Sequence, residues 1–217
     1  MMLSTSRFSA PLLRACTAAL LVLAGGASAA EPASAPAAAA STPVAGGVVL
    51  EGVHFDPSVV VGGQTLPLNG AAMSSILSAK SMAVGFYLPT KQTTIDGATG
   101  VKGPKRIHYC TVRVLSTRDL ANALLDRIRQ NTTSEEFAAN IVQTAQLGAV
   151  FGTRKELNKG DCVNIDWTPA NQTTEFRLNG ELISEPIKGE SFFSMMMKVW
   201  IGPRVRASTR EGILGLR

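Results

Sequence analysis

The chain has 217 residues, 45% hydrophobic and 17% charged, with 21 Lys+Arg against 16 Asp+Glu. That length suits one ordinary domain with a real core. Arg7 and Arg14 fall in an expected leader, and without them the formal charge is only +3. No basic run with interleaved aromatics points to nucleic acid.

Residues 1–30 read as a secretory signal peptide. Arg7 and Arg14 give a basic start, residues 15–24 an apolar run too short for a stable span, and Ala27-Ser28-Ala29 an A-x-A cleavage signal. Cys16 leaves with it. Residues 31–45 are Ala, Pro and Ser with almost no bulky side chain, a disordered tether that cannot bury enough surface to order itself. The expected domain is residues 46–217. It carries no transmembrane segment, and we expect a monomer, periplasmic or secreted once the leader is cleaved.

Val59-Val60-Val61 and Leu66-Pro67-Leu68 flank Gly62-Gly63, a hairpin turn. Pro67, with no amide proton, predicts an edge strand. Leu68-Asn69-Gly70 reads as a turn, followed by an irregular polar segment and a strand over residues 79–88. A polar loop with Gly97, Gly100 and Gly103 follows, then a strand over residues 106–115. Leu120, Leu124 and Ile128 make one apolar helix face from Thr117 onward. Thr133-Ser134-Glu135-Glu136 is a capping box for a second helix, whose face would be Phe137, Ile141, Ala145 and Gly148. Gly160-Asp161 turns into a strand ending at Trp167-Thr168, and Asn179-Gly180 joins two more strands in the chain's strongest hairpin signal. Residues 191–201 (SFFSMMMKVWI) are apolar on nearly every side, so that helix is buried, with Ser191 as its N-cap and Gly202-Pro203 as its stop. A short helix covers residues 208–214. The expected class is α+β, a large antiparallel sheet with helices packed on one face.

Cys110 and Cys162 remain in the expected mature chain. In an oxidising compartment they form either a disulfide or two separate thiols. The two histidines, His54 and His108, have no metal-binding spacing, and neither a metal nor a cofactor is called for. Gly189-Glu190-Ser191-Phe192-Phe193 lacks the second glycine of a nucleophile elbow.

Four blocks resemble the bacterial branch of the chalcone isomerase-like family. They are LNGAAM with KSMAVGFYLP, the strand over residues 106–115 leading into Thr-Arg-Asp-Leu, KGDCVNIDWTP with TTEFRLNGELI, and FFSMMMKVWIGPRVRAS with ILGL. The resemblance implies an open-faced β-sandwich, a large antiparallel sheet cradling helices. In the plant enzymes it implies a cofactor-free cyclisation, in which an arginine holds a phenolate and a threonine and a tyrosine steady the developing enolate. Carried over by position, the arginine falls at Ser74 and the threonine at Met82. A serine brings no charge and a thioether donates no hydrogen bond, so both requirements are missing. No catalytic residue is therefore assigned; Lys80, Arg113 and Arg118 are the cations that would have to substitute, and each is expected as a solvated or salt-bridged surface group.

The same scaffold serves as a fatty-acid binder in plant plastids. The resemblance thus implies an apolar wall of Met82, Phe86, Phe192, Met195, Met196 and Trp200, with Ser74, Lys80 and Tyr87 as polar contacts. The leading expectation is an exported, non-catalytic binder of a small apolar or fatty-acid-like ligand. Its rivals are an isomerase or intramolecular lyase with a rebuilt active site, and a partner-binding envelope protein with no ligand.

Overall fold

The computed structural model describes residues 46–77, 80–152 and 154–217. The expected leader and tether lie outside them. The described residues form an α+β domain around one large antiparallel sheet in the order β11-β10-β9-β6-β5-β4-β3. Its strands are β3 (Ser58–Val61), β4 (Gln64–Ser74), β5 (Met82–Tyr87), β6 (Lys105–Thr111), β9 (Cys162–Thr168), β10 (Thr173–Leu178) and β11 (Glu181–Leu182), and β12 (Ile187–Lys188) also pairs with β10. Two small hairpins stand apart from it: β1 (Val48–Leu50) with β2 (Val53–Phe55), and β7 (Leu115–Ser116) with β8 (Glu156–Leu157).

Alternation along the strands gives the sheet two different faces. One carries Met82, Val84 and Phe86 of β5, Ile107 and Tyr109 of β6, Val163, Ile165 and Trp167 of β9, and Phe176 and Leu178 of β10, all in the main core. Helices cover this face. They are α1 (Ile95–Gly100), α2 (Thr117–Asn131), α3 (Ser134–Ala139), α4 (Ile141–Val150), α5 (Glu190–Ile201) and α6 (Ala207–Ile213). Helix α5 packs against α1, α2, α6 and β10, which explains its composition. Eight of its twelve residues are buried, and its polar side is the narrow stripe Ser191, Ser194 and Lys198. The other face carries a smaller core of Phe55, Val61, Leu66, Leu68, Ala83 and Tyr87. Phe55 of β2 lies on Gly85, where a Cβ would come within 2.7 Å of its ring.

Several local expectations are corrected. Leu68-Asn69-Gly70 is no turn, because β4 runs on through it with a register shift between Leu68 and Gly70. Such a bulge leaves one residue unpaired. Here Asn69 uses that freedom to accept from Gln92 N at 2.7 Å and to donate to Gln92 O at 3.0 Å and Ile213 O at 2.8 Å. Gly70 is required beside it, since a Cβ there would lie 2.2 Å from the Gly212 carbonyl oxygen. Pro67 is not on an edge strand; β3 is the edge, and Pro67 sits where β4 exchanges its β3 partner for β5. The loop around Gly97 contains α1, capped by the Thr94 hydroxyl.

The Thr133 cap forms as expected, accepting from Glu136 N at 3.1 Å, but its helix breaks at Asn140. Asn140 is buried. Its side chain donates to the Glu136 carbonyl and accepts from Ser191 Oγ at 2.8 Å, tying the break to α5. The break resets the helical phase, so Ile141 is 53% exposed while Thr144, Leu147 and Val150 turn inward. Ser191 is spent on that bond and caps nothing, and Gly189 holds the cap position.

Candidate functional site

Ser74 and Met82 are opposite one another at the end of the β4–β5 ladder, on the helix-covered face. Both are buried, Met82 fully. The positions to which the resemblance carries the arginine and the threonine are thus adjacent in space. Neither residue here supplies a charge or a strong donor.

Six expected wall residues do come together. Met82, Phe86, Phe192, Met195, Met196 and Trp200 are all fully buried in the main core. Phe86 meets Trp200 edge-on with ring centroids 6.4 Å apart, and Tyr109 of β6 lies against Trp200 at 5.8 Å. Among the described residues three buried side-chain polar atoms on this face have no hydrogen-bond partner: the Tyr109 hydroxyl and Trp200 Nε1 in this layer, and Thr174 Oγ1 further along the sheet on β10. Burial alone pushes the Tyr109 phenol well above its ordinary range. An unpaired buried polar atom costs free energy, and Tyr and Trp usually find a partner when buried.

The polar contacts are placed differently. Lys80 is exposed, on the stretch leading into β5. Arg113 is exposed and reaches the Leu77 carbonyl at 3.4 Å. Arg118 lines a separate hollow of about 460 Å³ between α2 and α4, with Arg154 and Lys155 over Leu125 and Phe151. Tyr87 follows Phe86 directly, so it points to the opposite face of the sheet.

Two cations that sequence reasoning passed over lie closer to the helix-covered layer. Arg127, half-buried on α2, donates to the Ser75 carbonyl at 3.2 Å, next to Ser74. Burial and the charge of Arg206 push its pKa down. Lys105 of β6 is fully buried and pairs with Glu190, the first residue of α5, at 3.3 Å. Burial pushes Lys105 below its usual value despite this partner. Glu190 is also pushed up by burial, but its bonds and charge contacts with Lys105 and Lys102 outweigh that and hold it low. Arg127 had a visible signal in its position three residues after Leu124 on the apolar face of α2. Lys105 had none.

On the far face the structure joins Cys110 to Cys162 in a disulfide between directly opposed residues of β6 and β9. Beside it lies a polar hollow of about 200 Å³ lined by His54, Asp56, Val59, Tyr87, Arg106, His108 and Asn164. Arg106 makes two 2.6 Å bonds to Asp166 there. Burial lowers the His108 pKa, which its bond to Asn164 opposes. Burial and the charge of Asp56 raise that of Tyr87. No described helix is long and apolar enough to cross a membrane.

Comparison with known proteins agrees with the architecture. The crystal structure of a fatty-acid binding protein of Arabidopsis thaliana is similar, with a TM-score of 0.61 and 16% identity over 78% of this chain and 96% of that one. At that identity the likeness concerns the fold. No curated protein sequence matches the chain. Residues 47–215 match the chalcone isomerase-like family over nearly the whole described domain, and the chain belongs to that family.

Proposed function

We propose that this protein holds one small apolar or amphipathic molecule, fatty-acid-like in chemistry, between α5 and the sheet, and that it does so without catalysis. The observation that carries this reading is the pair of unpartnered polar atoms, Tyr109 Oη and Trp200 Nε1, on adjacent buried rings. A ligand headgroup or a water carried with it would satisfy both. Met82, Met195 and Met196 belong to the same core, and methionine repacks around a guest more readily than branched side chains. Arg127 and Arg206 put positive charge at the Ser74 end of the layer, which suits an anionic headgroup. The similar Arabidopsis thaliana structure is titled a fatty-acid binding protein, which supports the same class of ligand. Catalysis of the plant type lacks its charge at Ser74 and its donor at Met82.

The test is native mass spectrometry of protein taken from cells, followed by titration of delipidated protein with a medium-chain fatty acid. One bound amphiphile per chain, with a change in Trp200 emission that Trp200→Phe removes, is the expected result. Protein that is ligand-free from cells and unresponsive to titration would reject the reading.

We further propose that the chain is exported, on the strength of Arg7, Arg14, the apolar residues 15–24 and Ala27-Ser28-Ala29. N-terminal sequencing of the mature protein should begin close to residue 30; an intact Met1 would overturn it.

A further inference from the structure

The far face of the sheet carries an arrangement that ligand binding under α5 does not use. The ligand atoms of His108, Cys110 and Cys162 all lie within 4.8 Å of one another. His108 Nε2 is 3.3 Å from Cys110 Sγ, and His108 Nδ1 is 2.6 Å from Asn164 Oδ1. An amide oxygen only accepts, so Nδ1 carries the ring proton and donates it to Asn164. Nε2 is left with a lone pair directed at sulfur. A disulfide sulfur has no hydrogen to give, so in the oxidised protein that lone pair faces a group that cannot answer it. A histidine held by its other nitrogen on a carbonyl oxygen is the arrangement that orients metal-binding imidazoles.

We propose that reduction of the Cys110–Cys162 disulfide opens a site for one thiophilic divalent cation of the zinc class, bound by His108 Nε2 and the two cysteine sulfurs. Two thiolates and one imidazole are the donor set such an ion prefers. Strands β6 and β9 hold all three side chains on one face, with Cys110 opposite Cys162 and His108 opposite Asn164. For a tetrahedral ion with metal–sulfur bonds of about 2.3 Å the two sulfurs stand about 3.8 Å apart, so the freed side chains must rotate away from each other on binding. His108 also lines the polar hollow together with His54, Asp56, Tyr87, Arg106 and Asn164, which leaves room beside the imidazole for a fourth ligand. A site with three protein ligands and one open position takes water or a small donor there.

The chemistry is a two-electron reduction. A phosphine takes up the oxygen of one water to become its oxide, and the disulfide gains two electrons and two protons as two thiols. The cation then displaces both thiol protons on binding. In the oxidised protein the same sulfur atoms are bonded to each other and the site is closed.

The experiment uses the full chain with cobalt(II) as probe, with and without a non-chelating phosphine. Thiolate-to-cobalt absorption should appear only after reduction, saturate at one ion per chain and be displaced by zinc(II). His108→Ala should weaken binding at least tenfold, and Asn164→Ala, which removes only the group orienting the imidazole, by a smaller factor. Circular dichroism reports whether each variant folds; if His108→Ala does not, Asn164→Ala and His108→Gln carry the comparison. A reduced, folded wild-type chain that gives no thiolate band overturns the proposal. So does equal cobalt affinity in the folded histidine variant, or cobalt binding that is unchanged by reduction.

Discussion

Lys105 and Glu190 form an ion pair between the floor of the sheet and the first turn of α5, with the lysine fully buried and the carboxylate 37% exposed. It anchors the largely buried helix α5 at the end where that helix has no side-chain cap. Breaking a buried pair by removing one partner costs roughly 3–5 kcal/mol, because the other charge is stranded. Partial exposure of Glu190 screens the pair, so Glu190→Gln should cost about 2 kcal/mol, measured by denaturant unfolding. Lys105→Met combined with Glu190→Gln should recover most of that loss.

The same pair sets a pH dependence. Glu190 titrates below its ordinary value in the fold, so its stabilisation is fully present above the unfolded value of 4.5 and is lost as the pH falls through the lowered folded value. Lys105 also titrates low, so between its folded value and the unfolded 10.5 the unfolded chain binds more protons and stability rises with pH. Thermal melts from pH 3 to 6 should show an acid limb in the wild type that is shallower in Glu190→Gln. Identical limbs would remove this assignment.

Tyr109→Phe separates a ligand contact from plain core. With no ligand bound, the hydroxyl is buried and unpaired, so its removal should leave stability unchanged or raise it by up to about 1 kcal/mol. With a fatty acid bound, the same change should weaken affinity about 5- to 10-fold, the value of one lost hydrogen bond. A destabilised variant with unchanged affinity would place the hydroxyl in ordinary packing.

Gly70→Ala tests the contact between the β4 bulge and α6. The new Cβ would meet three backbone atoms, the Gly212 and Ile213 oxygens and Gly215 N, at 2.2, 2.7 and 2.8 Å. Backbone cannot rotate away as a side chain can, so the cost should reach about 3 kcal/mol, the upper end for overpacking. A melting temperature within a degree or two of wild type would show that α6 lifts freely from the strand.

The disulfide spans 52 residues of sequence, a loop worth about 4 kcal/mol in the chain-entropy account. Cys110→Ala with Cys162→Ala should lower stability by up to that amount in guanidinium unfolding. Reduced wild type should match it and then regain stability when zinc is added.

Chalcone offered to the protein should cyclise no faster than in buffer, followed by loss of the chalcone absorbance. Ser74→Ala should not change that rate. Acceleration that Ser74→Ala abolishes would restore an enzymatic reading.

Much of the architecture was readable in short stretches. Gly62-Gly63 and Asn179-Gly180 sit at positive φ in the two hairpins they predict, and Leu120, Leu124 and Ile128 are the buried face of α2. These signals are local, because turn conformation and helical spacing depend on neighbours in sequence. The site was less legible. Phe86 on the apolar wall and Tyr87 among the polar contacts were expected around one ligand, although adjacent strand residues must face opposite ways. Asn69-Gly70 carries turn chemistry, but pairing with β5 outweighs it and turns the same residues into a bulge. Asn140 ends a helix that its own periodicity continues, because its buried side chain is held by Ser191 on α5.

From its sequence alone the chain determines its class, its two Gly-centred hairpins, the buried character of α5, and the absence of an arginine at Ser74 and a threonine at Met82. Which groups meet was decided by strand register and helix docking. Lys105 finds Glu190, Arg127 reaches Ser75, Tyr109 lies on Trp200, and His108 comes beside Cys110 and Cys162, with partners up to 91 residues apart. Composition and periodicity describe the environment each residue seeks. Only the pairing of distant strands under a common helix layer selects the neighbour that supplies it.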